Sequence, residues 1–286
     1  MPAATIARFQ ATAPAGEIAD AILRDGAVIA EGVLGADVVR RFNEEIDARR
    51  EFEAGPRRYM NSTVEHFFGT KARHVADVAG KSDVFLREIL CHPTFMGLCD
   101  RILRPNCATY HLNFADVMER GPGAPAQMFH RDDGIWPYMP RPLPFPFEFA
   151  TMVALGEFTE PMGATLIVPG SHLWDPARQP EPHEVAVAEL EPGSAALYLG
   201  STLHAGGANR TADRWRRGMH LSYCLGWLRT EENVYLTAPL EQVRNYPREV
   251  QAILGYGIHD GIEVNGGFLG AVEWRDPLEL IAEGKL

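Results

Sequence analysis

The sequence lacks the features of secreted and membrane-spanning proteins. It has few cysteines for its 286 residues, and no two of them form a C-x-x-C pair; they are Cys91, Cys99, Cys107 and Cys224. No stretch approaches the roughly 18 consecutive apolar residues that a membrane span needs. The first residues show no charged region followed by an apolar run, so no secretory signal is predicted. We therefore expect reduced thiols, a cytoplasmic location and no membrane partner.

Positive charge is also scarce. Lys and Arg total 27 against 38 Asp and Glu, which gives a net charge of −11. Because a nucleic-acid-binding protein needs a cationic face, no nucleic acid is expected as a partner. The exception is local, since Arg210, Arg214, Arg216 and Arg217 lie close together in the sequence.

Periodicity divides the chain into a helical flank (1–106), a β core (107–228) and a helical C-terminal segment (229–286). In the flank, Val38, Val39, Phe42 and Ile46 share one face of a predicted helix over 36–49. In the core, strand-like runs alternate with Gly and Pro turns, at 108–114, 126–131, 147–155, 164–168, 194–199 and 218–228. This pattern predicts a sandwich or barrel. No linker separates the parts, so we expect one domain over 1–286.

His130 and Asp132 stand two residues apart in the predicted strand over 126–131 and its continuation. Residues i and i+2 of a strand point to the same face, so the imidazole and the carboxylate would project together. A second histidine would complete a 2-His-1-carboxylate set. Such a set leaves positions open on a non-haem Fe(II) for a bidentate cosubstrate and O₂.

The second histidine must come later in the chain, and five are available: His172, His183, His204, His220 and His259. His204 is favoured because it follows a strand and Arg216 comes twelve residues later. A guanidinium binds a carboxylate bidentately, which an acid-binding oxygenase needs at the far end of its pocket. Strand alternation places Arg216 on a small, polar face and Arg217 on an apolar one.

Together these motifs resemble the phytanoyl-CoA dioxygenase family of Fe(II)/2-oxoglutarate oxygenases, nearest those of fungal-type terpenoid and alkaloid biosynthesis. The resemblance extends from about residue 20 to 255 and includes G-A-T-L-I-V-P-G-S-H at 163–172. Its five segments are 25–34, 127–134, 163–172, 204–211 with Arg216, and 225–236.

The resemblance implies a double-stranded β-helix, the jelly roll of cupin-type enzymes, with flanking α-helices. It also implies Fe(II) held by His130, Asp132 and His204, and 2-oxoglutarate and O₂ as cosubstrates. Arg216 would bind the C5 carboxylate of 2-oxoglutarate, with Arg214 as the rival. An aspartate at 132 argues against halogenation, because related halogenases have a small residue there.

Further site residues follow from the same resemblance. Four are expected to contact 2-oxoglutarate: Gln127, Thr165, Asn113 and Arg73. Three are weaker candidates for contact with the substrate: Trp136, Tyr138 and Tyr223. Alternation counts against Tyr223, because it faces away from Arg216.

The expected function is oxidation of an unactivated C–H bond of a small, largely apolar metabolite, by hydroxylation or desaturation, in natural-product biosynthesis. The resemblance also implies a homodimer. One alternative is the same chemistry on an acyl-CoA or amino-acid-like substrate. Another is a metal-free jelly-roll binding module. A nucleic-acid demethylase with the same triad conflicts with the net charge.

Overall fold

Two sheets carry the fold, and their strands pair antiparallel except for the parallel pair of the first two strands. In the residues that the computed structural model describes, 4–49, 61–259 and 268–286, there are ten strands. Seven form the larger sheet in the order β1-β2-β8-β5-β10-β4-β3, and three form the smaller sheet in the order β7-β6-β9. The strands are β1 Ala7–Gln10, β2 Ala27–Glu31, β3 Ala72–Val75, β4 Tyr110–Arg120, β5 Glu148–Ala154, β6 Thr165–Ile167, β7 Ala186–Ala188, β8 Ala195–Leu199, β9 His204–Gly206 and β10 Arg216–Leu225.

Successive side chains of the long strands β4 and β10 point to opposite faces of the sheet, and both faces are largely buried. On β10, Met219, Leu221 and Tyr223 belong to the larger apolar core, which the flanking helices cover. A second apolar cluster lies between the sheets and joins Ala150 of β5 to Ile167 of β6. Two facing sheets around such a core form a jelly roll, so the fold predicted from the sequence is confirmed.

Helices flank the sheets, and most of them pack on the outer face of the larger sheet. They are α1 Ala15–Asp25, α2 Ala36–Ala48, α3 Ser62–Phe68, α4 Pro93–Ile102, α5 Val234–Thr237, α6 Leu240–Val243, α7 Arg248–Ile253 and α8 Pro277–Ala282. Helix α2 buries Val39, Phe42 and Ile46, the stripe predicted from periodicity. Helix α4 begins at Pro93. Proline has no backbone N–H, but this is no loss in the first turn, because an N–H there would have no acceptor within the helix. Among the described helices, none has the length and apolar character to cross a bilayer.

The structure differs from the sequence prediction at three places. The N-terminal flank, predicted to be helical, also contributes β1, β2 and β3 to the sheet. In the C-terminal segment, also predicted to be helical, residues 240–253 form two short helices instead of one, because Pro247 interrupts the stretch and caps the second. The strand predicted over 126–131 is wrong, because His130 makes only an isolated bridge and Asp132 opens a 3₁₀ turn, Asp132–Ile135.

Candidate active site

The two histidines of the predicted metal site meet through their backbones. His204 begins β9, and its amide nitrogen donates to the His130 carbonyl while the His130 amide donates to the His204 carbonyl, both at 3.0 Å. The turn after His130 brings the Asp132 carboxylate back toward both rings. Its Oδ1 lies 3.6 Å from His130 Nε2 and 3.3 Å from His204 Nε2. The i, i+2 spacing therefore brings the groups together through a turn instead of a strand face.

Backbone acceptors orient both imidazoles. His130 Nδ1 lies 3.0 Å from the Met128 carbonyl, and His204 Nδ1 lies 3.1 Å from the Thr202 carbonyl. A carbonyl can only accept, so each Nδ1 carries the proton and each Nε2 presents its lone pair. This is how a second hydrogen bond fixes the tautomer of a metal-ligating histidine.

The ionisation of these groups suits a divalent cation. Burial, aided by His204, lowers the pKa of His130 to about 4, so its imidazole is neutral at pH 7. Burial by itself raises the pKa of Asp132, but the surrounding imidazoles, first His204, outweigh it and hold this carboxyl well below its ordinary value. Asp132 Oδ2 is buried without a hydrogen-bond partner. Against the effect of burial, Asp132 raises the pKa of His204, so a cation would bind there in place of a proton. One carboxylate and two imidazoles are suitable donors for Fe(II), and their ligand atoms lie within 4.8 Å of one another.

The three residues border a cavity of about 340 Å³ between the sheets, and Arg216 lies in its wall. Arg216 Nε and Nη2 donate to the Gly163 carbonyl at 3.1 and 3.0 Å, and Nη1 is buried without a partner. The rival Arg214 is exposed and pairs with Glu157. Arg217 faces the other side of the sheet, as predicted, where it pairs with Glu119.

Gln127 and Thr165 also lie in the cavity wall, where cosubstrate contacts were predicted. Gln127 Oε1 accepts from the Gly206 amide at 2.7 Å, which leaves its amide nitrogen as the group able to donate into the cavity. The Thr165 hydroxyl on β6 is buried without a hydrogen-bond partner. A buried hydroxyl in a cavity wall is ready for a ligand, because leaving it unsatisfied has a cost.

Asn113 and Arg73, for which contacts with 2-oxoglutarate were predicted, do not line the cavity. The Asn113 amide nitrogen donates to Glu148 Oε1 and to Ser222 Oγ, and its oxygen accepts from the Glu231 amide. Asn113 therefore anchors the cavity wall from behind. Arg73 on β3 stacks on the Trp215 ring, its Cζ 3.7 Å from the ring centroid, and its Nη1 lies 3.6 Å from Glu119 Oε2.

The three residues predicted to contact the substrate do not line this cavity. Trp136 donates its Nε1 hydrogen to the Arg229 carbonyl at 3.0 Å and packs against the larger core. Tyr138 is 98% exposed, in the proline-rich stretch over 137–146. Tyr223 is fully buried and donates to the Leu90 carbonyl at 2.6 Å, beneath the helices. The loop after Asp132 therefore packs Trp136 on the core and exposes Tyr138, and strand alternation directs Tyr223 to the helix-facing side of β10.

Several cavity residues were not proposed as site residues from the sequence. Those bordering the cavity are Arg120, Tyr198, His220, Glu231, Phe67, Phe68, Phe114, Met118 and Ile135. His220 could have been found by alternation from Arg216, and its Nε2 lies 3.6 Å from Asp132 Oδ2. Arg120 was missed because the predicted strand stopped at 114, whereas β4 continues to Arg120.

The chain is similar in sequence to a known protein family. The model of the phytanoyl-CoA dioxygenase (PhyH) family matches residues 22–218. The chain is 38% identical over 224 residues to the dioxygenase trt7 of Aspergillus terreus, which covers 77% of each chain. It is 34% identical to the dioxygenase olcK of Penicillium canescens, over 74% of this chain and 70% of that protein. It is 31% identical to the dioxygenase swnH1 of Metarhizium robertsii, over 99% of this chain and 94% of that protein.

Solved structures share the fold. The α-ketoglutarate-dependent epimerase SnoN from nogalamycin biosynthesis superposes with a TM-score of 0.59 at 23% identity, over 74% of this chain and 83% of that chain. HygX from Streptomyces hygroscopicus, solved with nickel, 2-oxoglutarate and hygromycin B, superposes with a TM-score of 0.56 at 15% identity, over 76% and 89%.

Proposed function

The chain belongs to the phytanoyl-CoA dioxygenase family, and we propose that, as an Fe(II)- and 2-oxoglutarate-dependent dioxygenase, it oxidises an unactivated C–H bond of a small, largely apolar metabolite in natural-product biosynthesis. The observation that carries the proposal is the convergence of His130 Nε2, His204 Nε2 and the Asp132 carboxylate on a cavity that contains the buried Arg216. SnoN, which has the same fold, was solved in complex with Fe³⁺, α-ketoglutarate and nogalamycin RO, a secondary metabolite.

Each polar wall residue has a distinct task in this proposal. His130, Asp132 and His204 would hold the iron, and the fixed tautomers of the two histidines present both Nε2 atoms to it. Arg216 binds the C5 carboxylate of 2-oxoglutarate through a charge-assisted hydrogen bond. Gln127 and Thr165 donate hydrogen bonds to the same cosubstrate. When bound, iron with 2-oxoglutarate and O₂ supplies the oxidising power, while the protein sets the pose of the reacting bond.

Aromatic and apolar side chains form much of the rest of the cavity wall. They include Phe67, Phe114 and Met118, and the Phe67 ring lies edge-on to His130 with centroids 4.7 Å apart. An apolar wall excludes water and buries the carbon skeleton of a substrate. We therefore place the substrate between α3 and the metal ligands, with its reacting C–H bond toward His130.

One wall residue favours a narrower substrate class, a metabolite that carries a basic nitrogen, as in the amino-acid-like alternative. The Glu231 side chain borders this cavity and a second cleft beside it. Burial, together with the charges of Asp132, Asp116 and Glu232, raises its pKa to about 7. A protonated amine beside Glu231 would restore its ionisation. Succinate release should then be stimulated more by amine-bearing metabolites than by neutral isosteres, and Glu231→Gln should remove the difference.

Anaerobic reconstitution tests the central proposal. Fe(II) and 2-oxoglutarate added to the purified chain should produce the visible charge-transfer band of a chelated cosubstrate. His130→Ala should abolish the band, and Arg216→Ala should shift its formation to higher 2-oxoglutarate concentration. A wild-type chain without the band, or a His130→Ala variant that keeps it, would contradict the proposed site. Succinate release with a metabolite panel then identifies the substrate.

The single-domain organisation, a homodimer and a cytoplasmic location complete the proposal. The β strands that border the cavity, from β3 to β10, interleave with one another in the sheets, which supports one cooperative unit. A single thermal transition that shifts as a whole with Fe(II) tests this organisation. Light scattering coupled to size-exclusion chromatography tests the dimer, and fluorescence imaging of the tagged chain tests the location.

A further inference from the structure

Two arginines stand directly opposite each other on the cavity face of the larger sheet. In the β4–β10 ladder, Arg216 is registered with Arg120, and the next pair is Arg217 with Glu119. On the outer face, the second pair forms an ion pair at 2.7 Å. On the inner face, the first pair brings like charges together, which destabilises adjacent strands.

Both arginines are buried, and their hydrogen-bond partners are backbone carbonyls. Arg216 is 2% exposed and Arg120 is 5% exposed. Arg120 donates from Nε to Gly207 O at 3.1 Å and from Nη2 to Pro125 O, as Arg216 does to Gly163 O. Among the described residues, no carboxylate lies within ion-pair distance of either guanidinium. Burying two cations without a counter-charge costs free energy, so this site would be stabilised by a bound anion.

We propose that Arg120 and Arg216 together bind the distal carboxylate of 2-oxoglutarate, and that this pair selects a dicarboxylic over a monocarboxylic 2-oxo acid. The inference rests on the proposed function. A carboxylate has two oxygens with about four lone pairs, enough to accept from both guanidinium groups. Both arginines border the same cavity as the metal ligands, and Arg216 Nη1 is the buried donor without a partner.

The ionisation of the pair agrees with this geometry. Burial, and then the neighbouring charge of Arg120, lowers the pKa of Arg216 to about 9. Burial lowers the pKa of Arg120 to about 10. Both groups stay charged at pH 7, and a bound dianion would relieve the repulsion between them.

The competing explanation is that Arg120 is structural. It ties Pro125 and Gly207 together, and these residues flank Gln127 and Asn209 in the segments at the cavity edge. A structural role predicts that loss of Arg120 disturbs every ligand of the cavity alike. A binding role predicts a loss confined to ligands with a distal carboxylate, and this contrast decides between them.

The experiment measures dissociation constants for two ligands on the anaerobic Fe(II)-loaded chain by calorimetry. One ligand is 2-oxoglutarate; the other is 2-oxopentanoate, which has the same chelating end and no distal carboxylate. Arg120→Gln should weaken 2-oxoglutarate binding by about tenfold to a hundredfold, the effect of one lost charge-assisted hydrogen bond. Its affinity for 2-oxopentanoate should stay unchanged or rise. Arg214→Gln is the matched control, because Arg214 is exposed and lies just before β10. It should change neither dissociation constant.

Arg120→Lys keeps the charge without the planar fork and should give an intermediate loss, so it serves if the Gln variant does not fold. Equal weakening of both ligands, or no change in either, would overturn the two-arginine site. A wild-type chain that fails to bind 2-oxoglutarate at all would contradict the proposed function instead, so the two failures are distinct.

Discussion

His130 and His204 hold each other in place through their main chains. The reciprocal amide-to-carbonyl hydrogen bonds at 3.0 Å form an isolated antiparallel bridge, and the two rings lie with centroids 4.3 Å apart. Because the bridge joins residues distant in sequence, neither imidazole depends on side-chain packing alone for its position. Rigid backbone of this kind is what a preorganised metal site requires.

Loss of one ligand should abolish iron binding and leave the fold intact. His204→Ala removes an Nε2 donor but keeps the backbone bridge, so the variant should show the same circular dichroism as wild type. Its iron content after anaerobic reconstitution should fall to background. His183→Ala, in the 3₁₀ turn Pro182–Glu184 away from the cavity, is the control and should retain full iron content. Undiminished iron in His204→Ala would remove His204 from the proposed ligand set.

The unpartnered Thr165 hydroxyl should matter for the cosubstrate and not for folding. Thr165→Val keeps the shape of the side chain, and no protein hydrogen bond is lost because Oγ1 makes none. The melting temperature of the cosubstrate-free protein should therefore stay the same or rise. Affinity for 2-oxoglutarate should fall roughly tenfold, the effect of one hydrogen bond to a charged ligand. A lower melting temperature with unchanged affinity would argue for a structural hydroxyl.

Gly163 should be indispensable where it supports Arg216. Its φ is +87°, and a Cβ there would lie 2.6 Å from the Gly207 carbonyl oxygen. Gly163→Ala should cost about 1–3 kcal/mol of unfolding free energy through backbone strain, and it should weaken 2-oxoglutarate binding because the Gly163 carbonyl positions the guanidinium. Gly156→Ala is the control, since a Cβ at Gly156 meets nothing within 4 Å. Chemical denaturation of both variants gives the comparison.

Tyr223 should contribute to stability and not to ligand binding. Tyr223→Phe leaves the buried Leu90 carbonyl without its hydroxyl donor, which should cost about 1–3 kcal/mol of unfolding free energy. Because the side chain lies on the helix-facing side of β10, affinity for 2-oxoglutarate should not change. Tyr138→Phe, at the exposed position, should change neither quantity. Unaltered stability together with lost turnover would restore Tyr223 as an active-site residue.

Glu232 should make stability fall as pH rises. Burial raises the pKa of this carboxyl to about 7, and its Oε2 has no hydrogen-bond partner. The folded state therefore binds a proton that the unfolded chain releases above its ordinary pKa of about 4.3, so stability is lost between about pH 4 and pH 7. Glu232→Gln should match wild type near pH 4 and exceed it by about 3–4 kcal/mol near pH 8.

Denaturant titrations of Glu232→Gln and wild type at several pH values measure this difference. Glu241→Gln, at an exposed carboxyl on α6, controls for the loss of one negative charge and should follow the wild-type curve. A constant difference between Glu232→Gln and wild type at every pH would show that Glu232 is ionised in the folded protein.

Local pattern was sufficient for much of this molecule. The helix over 36–48, most of the core strands and a sandwich or barrel follow from periodicity and turn residues. The resemblance to the family then specified a jelly roll. Alternation along β10 placed Arg216 and Arg217 on opposite faces of the sheet, because successive side chains of a strand point to opposite sides. The chemistry of the His130, Asp132 and His204 set was readable from residue types and from the family motifs around them.

Tertiary structure alone decided the rest. Loop direction is set by long-range hydrogen bonds, so the sequence could not show that Trp136 turns to Arg229 or that Asn113 anchors Glu148 behind the cavity wall. Strand register is likewise a property of the assembled sheet. Arg120 faces Arg216 because β4 ends at Arg120, β10 begins at Arg216, and the two residues pair in the ladder. The sequence by itself therefore determined the chemical groups of the site, whereas the pairing of distant strands determined which of them meet.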